Sequence, residues 1–383
     1  MSDTQRHYAT DEMVKRINAS GRTLSAAQYV YYYEEAFDPF YAVVREASWI
    51  MDAIPTILEI RGTLKFAVVG GSTSPFQVSS IGDDTFVIMI DERAFYGLMK
   101  LSLRIQSLPP LANLIKNEEK SQPLDYQNKF LLDITKDIVF HYEDASDLIS
   151  GKAHRSVYQA AITYILGHEI AHVAHRHLEF LQSNEFPQFC VDDTDRALTL
   201  RTLEMDADSS ATSSVVDVFE RFAKALEYSS ATRGGIEKTL LLRKHYVLGA
   251  YIALIYLDTL TLNYSPTTHP ISYARFLTTS GVFQRIFRQH DPEAVNIPEE
   301  MRKAVIEVFV QLSGSLESLG YPMASNVLVS NGEDHQVALY DALGIAIGLE
   351  QLAPLHSRWA RLLPYLAAFR RGGKLAPASA KPI

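Results

Sequence analysis

A single cysteine, Cys190, is present, so neither an intrachain disulfide nor a cysteine-rich zinc site can form, and a reducing compartment is favoured. Positive charge is not in excess. Lys and Arg number 36 against 45 Asp and Glu, a formal net charge of -9, which gives no reason to expect a general nucleic-acid or anionic-membrane partner; basic patches such as FRRGGK are local. A long uncharged span is also missing: the apolar run YVLGAYIALIYL at 246–257 ends at Asp258 after twelve residues. That is too short for a usual transmembrane helix and predicts a buried core helix, with no integral membrane association. The opening MSDTQRHYATDEM carries no secretory hydrophobic region, so the expected location is cytoplasmic. Internal repeats, coiled-coil heptads and long low-complexity segments are not evident.

At 383 residues, 47% hydrophobic and 21% charged, the chain has the composition of a folded globular protein with a sizeable core. Its patterning predicts an α+β fold, predominantly helical, with a small sheet before the helix that carries the metal motif. Residues 1–63 read as an N-terminal helical region packed on a catalytic domain at 64–290. A C-terminal helical region follows at 291–370, and RGGKLAPASAKPI supplies a flexible tail from 371 to 383. KFAVVGG and TFVIMIDE are strand-like, with turns and a short strand between them. The paired prolines of SLPPLAN break the helical stretch at 93–124. Helix-compatible sequence at 126–149 is followed by a helix over about 156–180. A further helix runs over about 195–226, with Asp192 or Asp193 as its cap.

The stretch GHEIAHVAHRH at 167–177 contains His168-Glu169-x-x-His172. On a helix, two imidazoles four residues apart face the same way and can meet one ion. Zinc at a catalytic site takes three protein ligands and leaves a place for water. Glu169, beside His168, is placed to take a proton from that water. His175, seven residues after His168, shares its face only approximately, and His177 points elsewhere in a regular helix; hydrogen-bonding roles suit both. RTLEMDADSSA offers the third ligand. Glu204 and Asp208 are four residues apart, so one helical face presents both, Glu204 to the ion and Asp208 to a ligand imidazole.

HEIAHVAHRH and EMDAD together resemble the gluzincin metalloproteases, in particular the prenyl-protein-processing and heat-shock membrane proteases, and TTHPISYAR at 267–275 resembles their later histidine-proline segment. That resemblance implies a zincin-like domain in which His168, His172 and Glu204 bind Zn2+ and Glu169 is the general base. It implies further that Asp208 orients a ligand, His269 stabilises the oxyanion, and Arg275 organises the site. The strong transmembrane helices of the membrane-embedded members have no counterpart, so the chain looks like a soluble relative. The active region also resembles the soluble zinc proteases of bacterial phage exclusion. The long stretch at 93–155 departs from the compact gluzincin pattern, in which an edge strand precedes the zinc helix.

The function expected from these features is zinc-dependent endopeptidase activity on a protein or peptide, with a protein activator or inhibitor as a further partner. Two alternatives remain open at this stage. One is a catalytically inactive, zinc-stabilised protein-binding module; the other is an amidohydrolase acting on a different amide.

Overall fold

A computed structural model describes residues 7–20, 27, 29–31, 41–71, 74–107, 109–115, 152–229, 233–261, 269–270, 272–311 and 333–375. The N-terminal part holds α1 (Asp11–Ser20), β1 (Tyr29–Tyr31), α2 (Tyr41–Ile57), β2 (Thr63–Gly70), β3 (Phe76–Gly82) and β4 (Thr85–Asp91), then α3 (Glu92–Ser107) and α4 (Pro109–Leu114). After it come α5 (Lys152–Ala174), α6 (His177–Leu181), α7 (Asp193–Ser229), α8 (Arg233–Thr261), α9 (Ser272–His290), α10 (Ile297–Gln311) and α11 (Glu333–Phe369). The fold is α+β and mostly helical, with the small sheet preceding the motif-bearing helix α5. The helix-compatible stretch at 126–149 lies outside the described residues.

The sheet has the order β1-β2-β4-β3. β2 and β4 run parallel, with Phe66 opposite Ile88, and β3 returns antiparallel to β4, with Val78 opposite Ile88. FAVVG and FVIMI are continuous apolar runs because both faces of the two central strands are covered. Phe66, Val68, Ile88 and Ile90 join the main helical core; Ala67, Val69, Val87 and Met89 alternate with them and pack on Val14 and Ile17 of α1. Asp83 and Asp84, both at positive φ (51° and 53°), make the two-residue connection between β3 and β4. Asp tolerates that left-handed geometry, and its twist suits a tight hairpin. β1, antiparallel to β2, departs from the helical reading of the N-terminal region: Tyr-Val-Tyr is a β-branched and aromatic run that fits an available strand edge.

The paired prolines act as expected. α3 ends at Ser107 and α4 starts at Pro109, where a missing backbone N–H is no loss. α7 starts after Asp192, whose Oδ1 accepts from the backbone N–H of Asp195 at 2.8 Å. The segment Glu237–Leu257 of α8 is long and apolar enough by composition to cross a membrane, but it is mostly buried inside this fold. From Tyr246 to Tyr256 its apolar side chains are at most 4% exposed. Gly249 lets α8 lie against α5: a Cβ there would sit 2.5 Å from both Ala160 Cβ and Val157 O. Gly167 does the same on a smaller scale for α5 against α7, where a Cβ would meet Ala211 Cα at 3.3 Å. Glycine at these two crossings sets how closely the motif-bearing helix approaches its neighbours.

Candidate metal centre

His168 and His172 lie one turn apart on α5, and α7 crosses them with Glu204 and Asp208 on its facing side. His168 Nε2 is 3.2 Å from His172 Nε2 and 3.1 Å from Glu204 Oε2. His172 Nε2 is 3.6 Å from Glu204 Oε1. One ligand atom from each of the three residues lies within 4.8 Å of the other two. His168 turns its other nitrogen, Nδ1, to Asp208 Oδ1 at 3.0 Å. Asp208 in turn is gripped by Arg275, whose Nε donates to Oδ2 at 2.8 Å and whose Nη2 donates to Oδ1 at 2.7 Å. Asp208 and Arg275 are almost completely buried. His269 reaches the cluster from the chain before α9, with Nε2 3.4 Å from Glu204 Oε2 and a side chain 36% exposed. All seven residues singled out from the sequence are thus in one neighbourhood, with Glu169 next to His168 and partly exposed.

The residues fit a divalent cation. When each ring donates outward from Nδ1, His168 to Asp208 and His172 to His177, both Nε2 atoms present lone pairs to each other at 3.2 Å. A cation between them and the Glu204 carboxylate removes that repulsion, and two imidazoles with one carboxylate suit zinc. Without a cation, a proton takes over this role. Burial opposes a charge on His168, but the carboxylates of Asp208 and Glu204 on its two nitrogens outweigh it and push its pKa up to about 10. His172, by contrast, is pushed down to about 3 by burial, against Glu204, with His168 and His177 adding to the lowering. Burial raises Glu169 to about 7, with His168 pulling down and Glu204 pushing up. Glu204 stays ionised despite burial because His269, His172 and His168 surround it.

The helix expected to run on to Phe180 does not do so. α5 stops at Ala174, Arg176 takes a left-handed conformation (φ 62°), and α6 starts at His177. The backbone N–H groups of Arg371 and Gly372 donate to Ala174 O at 2.7 and 3.3 Å, so the chain after α11 supplies the donors that end the helix. This reversal corrects the orientation expected for His177 from a regular helix: its Nδ1 lies 3.0 Å from His172 Nδ1, and its Nε2 is 3.2 Å from Asp206 Oδ2. His175 Nδ1 also bonds Asp206 Oδ2. His175, His177 and Asp206 are buried and form a second group of atoms spaced for a cation. Asp206 was not singled out from the sequence; the Glu204/Asp208 spacing draws attention to one helical face, and Asp206 leaves α7 on another.

Residues 121–291 match the family model described as Peptidase U49, a little under half of the chain. No curated protein and no solved structure matches. The His168-Glu169-x-x-His172 motif and the nearby acidic residues Glu204 and Asp208 therefore form a zinc-protease-like metal site within a peptidase-like region. Motif and family match together support protease-like enzymatic activity.

Proposed function

We propose that the protein is a zinc-dependent endopeptidase of the gluzincin type, acting in the cytoplasm on protein or peptide substrates. The observation that carries the proposal is the meeting of His168 Nε2, His172 Nε2 and the Glu204 carboxylate, with Glu169 close enough to feel the charges of His168 and Glu204. His168, His172 and Glu204 would hold the ion, which when bound supplies Lewis-acid polarisation of the scissile carbonyl and makes a water easier to deprotonate. Glu169 accepts that proton on its carboxylate and returns it to the leaving amide nitrogen; burial poises it near neutrality for both transfers. Asp208, fixed by the Arg275 fork, keeps the His168 proton on Nδ1 and so leaves Nε2 free to ligate. His269 stands on the more open side of the cluster and donates from Nε2 to the developing oxyanion. The order of the three motifs follows the prenyl-protein-processing and heat-shock proteases, which supports these roles for His269 and Arg275. β3, at the end of the described sheet and packed near α5, offers backbone groups to an extended substrate.

The test is an unbiased peptide library presented to the wild type and to Glu169→Gln at equal metal content. Cleavage of internal peptide bonds by the wild type alone is the expected result. Turnover restricted to small acylated amides would make the protein an amidohydrolase, and metal in both proteins with cleavage by neither would favour a binding module.

A further inference from the structure

His175, His177 and Asp206 look at first like a second cation site: all three are buried, and their ligand atoms lie within 4.8 Å of one another. His177 Nε2, His175 Nε2 and Asp206 Oδ1 are buried atoms without an in-line hydrogen-bond partner among the described residues. Counting protons at the contact between the two groups decides against it. A neutral imidazole that ligates through Nε2 carries its proton on Nδ1. If His172 and His177 each held a cation through Nε2, two N–H groups would point at each other across the 3.0 Å separating their Nδ1 atoms. Only one proton fits there.

His172 Nε2 belongs to the cluster with His168 and Glu204, so His172 is the donor at that contact. His177 accepts on Nδ1 and must carry its own proton on Nε2, 3.2 Å from Asp206 Oδ2. An ionised carboxylate has no proton to give, so Asp206 favours this tautomer of His177 and no other. We infer that Asp206 and His177 are positioning residues that act in series on the metal ligand His172, and that their cluster is the outer layer of one metal site rather than a second one. The left-handed turn at Arg176 is what makes the series geometrically feasible, since it swings His177 back beneath His172. The inference rests on the assignment of His172 as a ligand under the proposed function.

The full-length protein, labelled with 15N in its histidines and loaded with zinc, provides the test. Zinc stoichiometry and affinity are measured by chelator competition, and ring tautomers by long-range proton–nitrogen correlation. The wild type is expected to bind one zinc, with His177 protonated on Nε2. Asn at 206 can donate, so Asp206→Asn should move the His177 proton to Nδ1, set it against that of His172, and weaken zinc binding by roughly 10- to 100-fold. His177→Gln retains an acceptor for His172 Nδ1–H and should bind zinc more tightly than His177→Ala; this pair decides the matter should Asp206→Asn fail to fold. Two zinc ions per chain, or unchanged tautomer and affinity in a folded Asp206→Asn, would overturn the inference, as would equal affinities for the Gln and Ala variants. One zinc with indifferent variants defeats the positioning role alone, whereas a wild type that binds none defeats the proposed function as well.

Discussion

Replacing Arg275 with methionine removes the charge and the fork while filling much of the same space. Asp208 would be left 0% exposed beside an apolar side chain, with His168 and the buried Tyr164 hydroxyl as remaining partners. Removing one member of a buried pair leaves the other desolvated and short of its main counter-charge, at a cost of about 3–5 kcal/mol. With an unfolding entropy of roughly 2.1 cal/mol/K per residue, a chain of this size should lose about 4–6 °C in Tm. Calorimetry on chelator-treated protein separates this loss from metal binding. The effect should carry a pH signature. Burial raises the Asp208 pKa, but Arg275 and His168 outweigh it and hold it at about 2. A depressed carboxylate stabilises the fold above its unfolded pKa of about 3.9 and loses that contribution as pH falls through the folded value. The gap between wild type and Arg275→Met should therefore narrow as pH falls from about 4 toward 2. Adding Asp208→Asn should recover part of the loss, because the stranded charge is gone. A loss below about 1 kcal/mol, or strict additivity of the two substitutions, would refute the reasoning.

Three further outcomes follow from the same geometry. His269→Ala should lower kcat by roughly 100- to 1,000-fold with little change in zinc content, since in the proposed role it donates to the oxyanion and does not ligate; an unchanged kcat contradicts that role. Zinc affinity should rise about tenfold per pH unit between pH 6 and 8, because His168, held at about 10, releases one proton on binding while His172, at about 3, releases none; competition titrations that give a slope of zero or two contradict the proton count. Gly249→Ala gains roughly 1 kcal/mol of helix propensity but drives a methyl into Ala160 and the backbone of Val157, so it should lower stability overall by about 1–3 kcal/mol in denaturant unfolding. A stabilised variant would mean that α5 and α8 are not held so closely.

The metal cluster was legible because its spacing is local. Four residues on a helix bring His168 over His172, and Glu204 over Asp208, whatever the rest of the chain does. The strands were legible for a related reason, since FAVV and FVIMI are apolar on both faces and bounded by turn residues. The stop at Ala174 was not, because it depends on N–H groups from Arg371 and Gly372, nearly two hundred residues later. Nothing local to VAHRH signals a left-handed residue at Arg176, an arginine where glycine is the usual sign. With that turn hidden, His177 pointed away from the site on any helical projection, and Asp206 had no visible partner. β1 was missed because a three-residue strand draws its order from β2 rather than from its own sequence.

Everything proposed for the chemistry depends on His168, His172 and Glu204 holding a metal ion, and X-ray absorption at the zinc edge of natively purified protein probes that directly. About one zinc per chain is expected, in a shell of nitrogen and oxygen at roughly 2.0–2.2 Å, without sulfur. The signal should be lost in a folded His168→Ala/His172→Ala variant. Sulfur bound to the zinc, or a folded wild type that stays empty after careful reconstitution, would contradict the assignment.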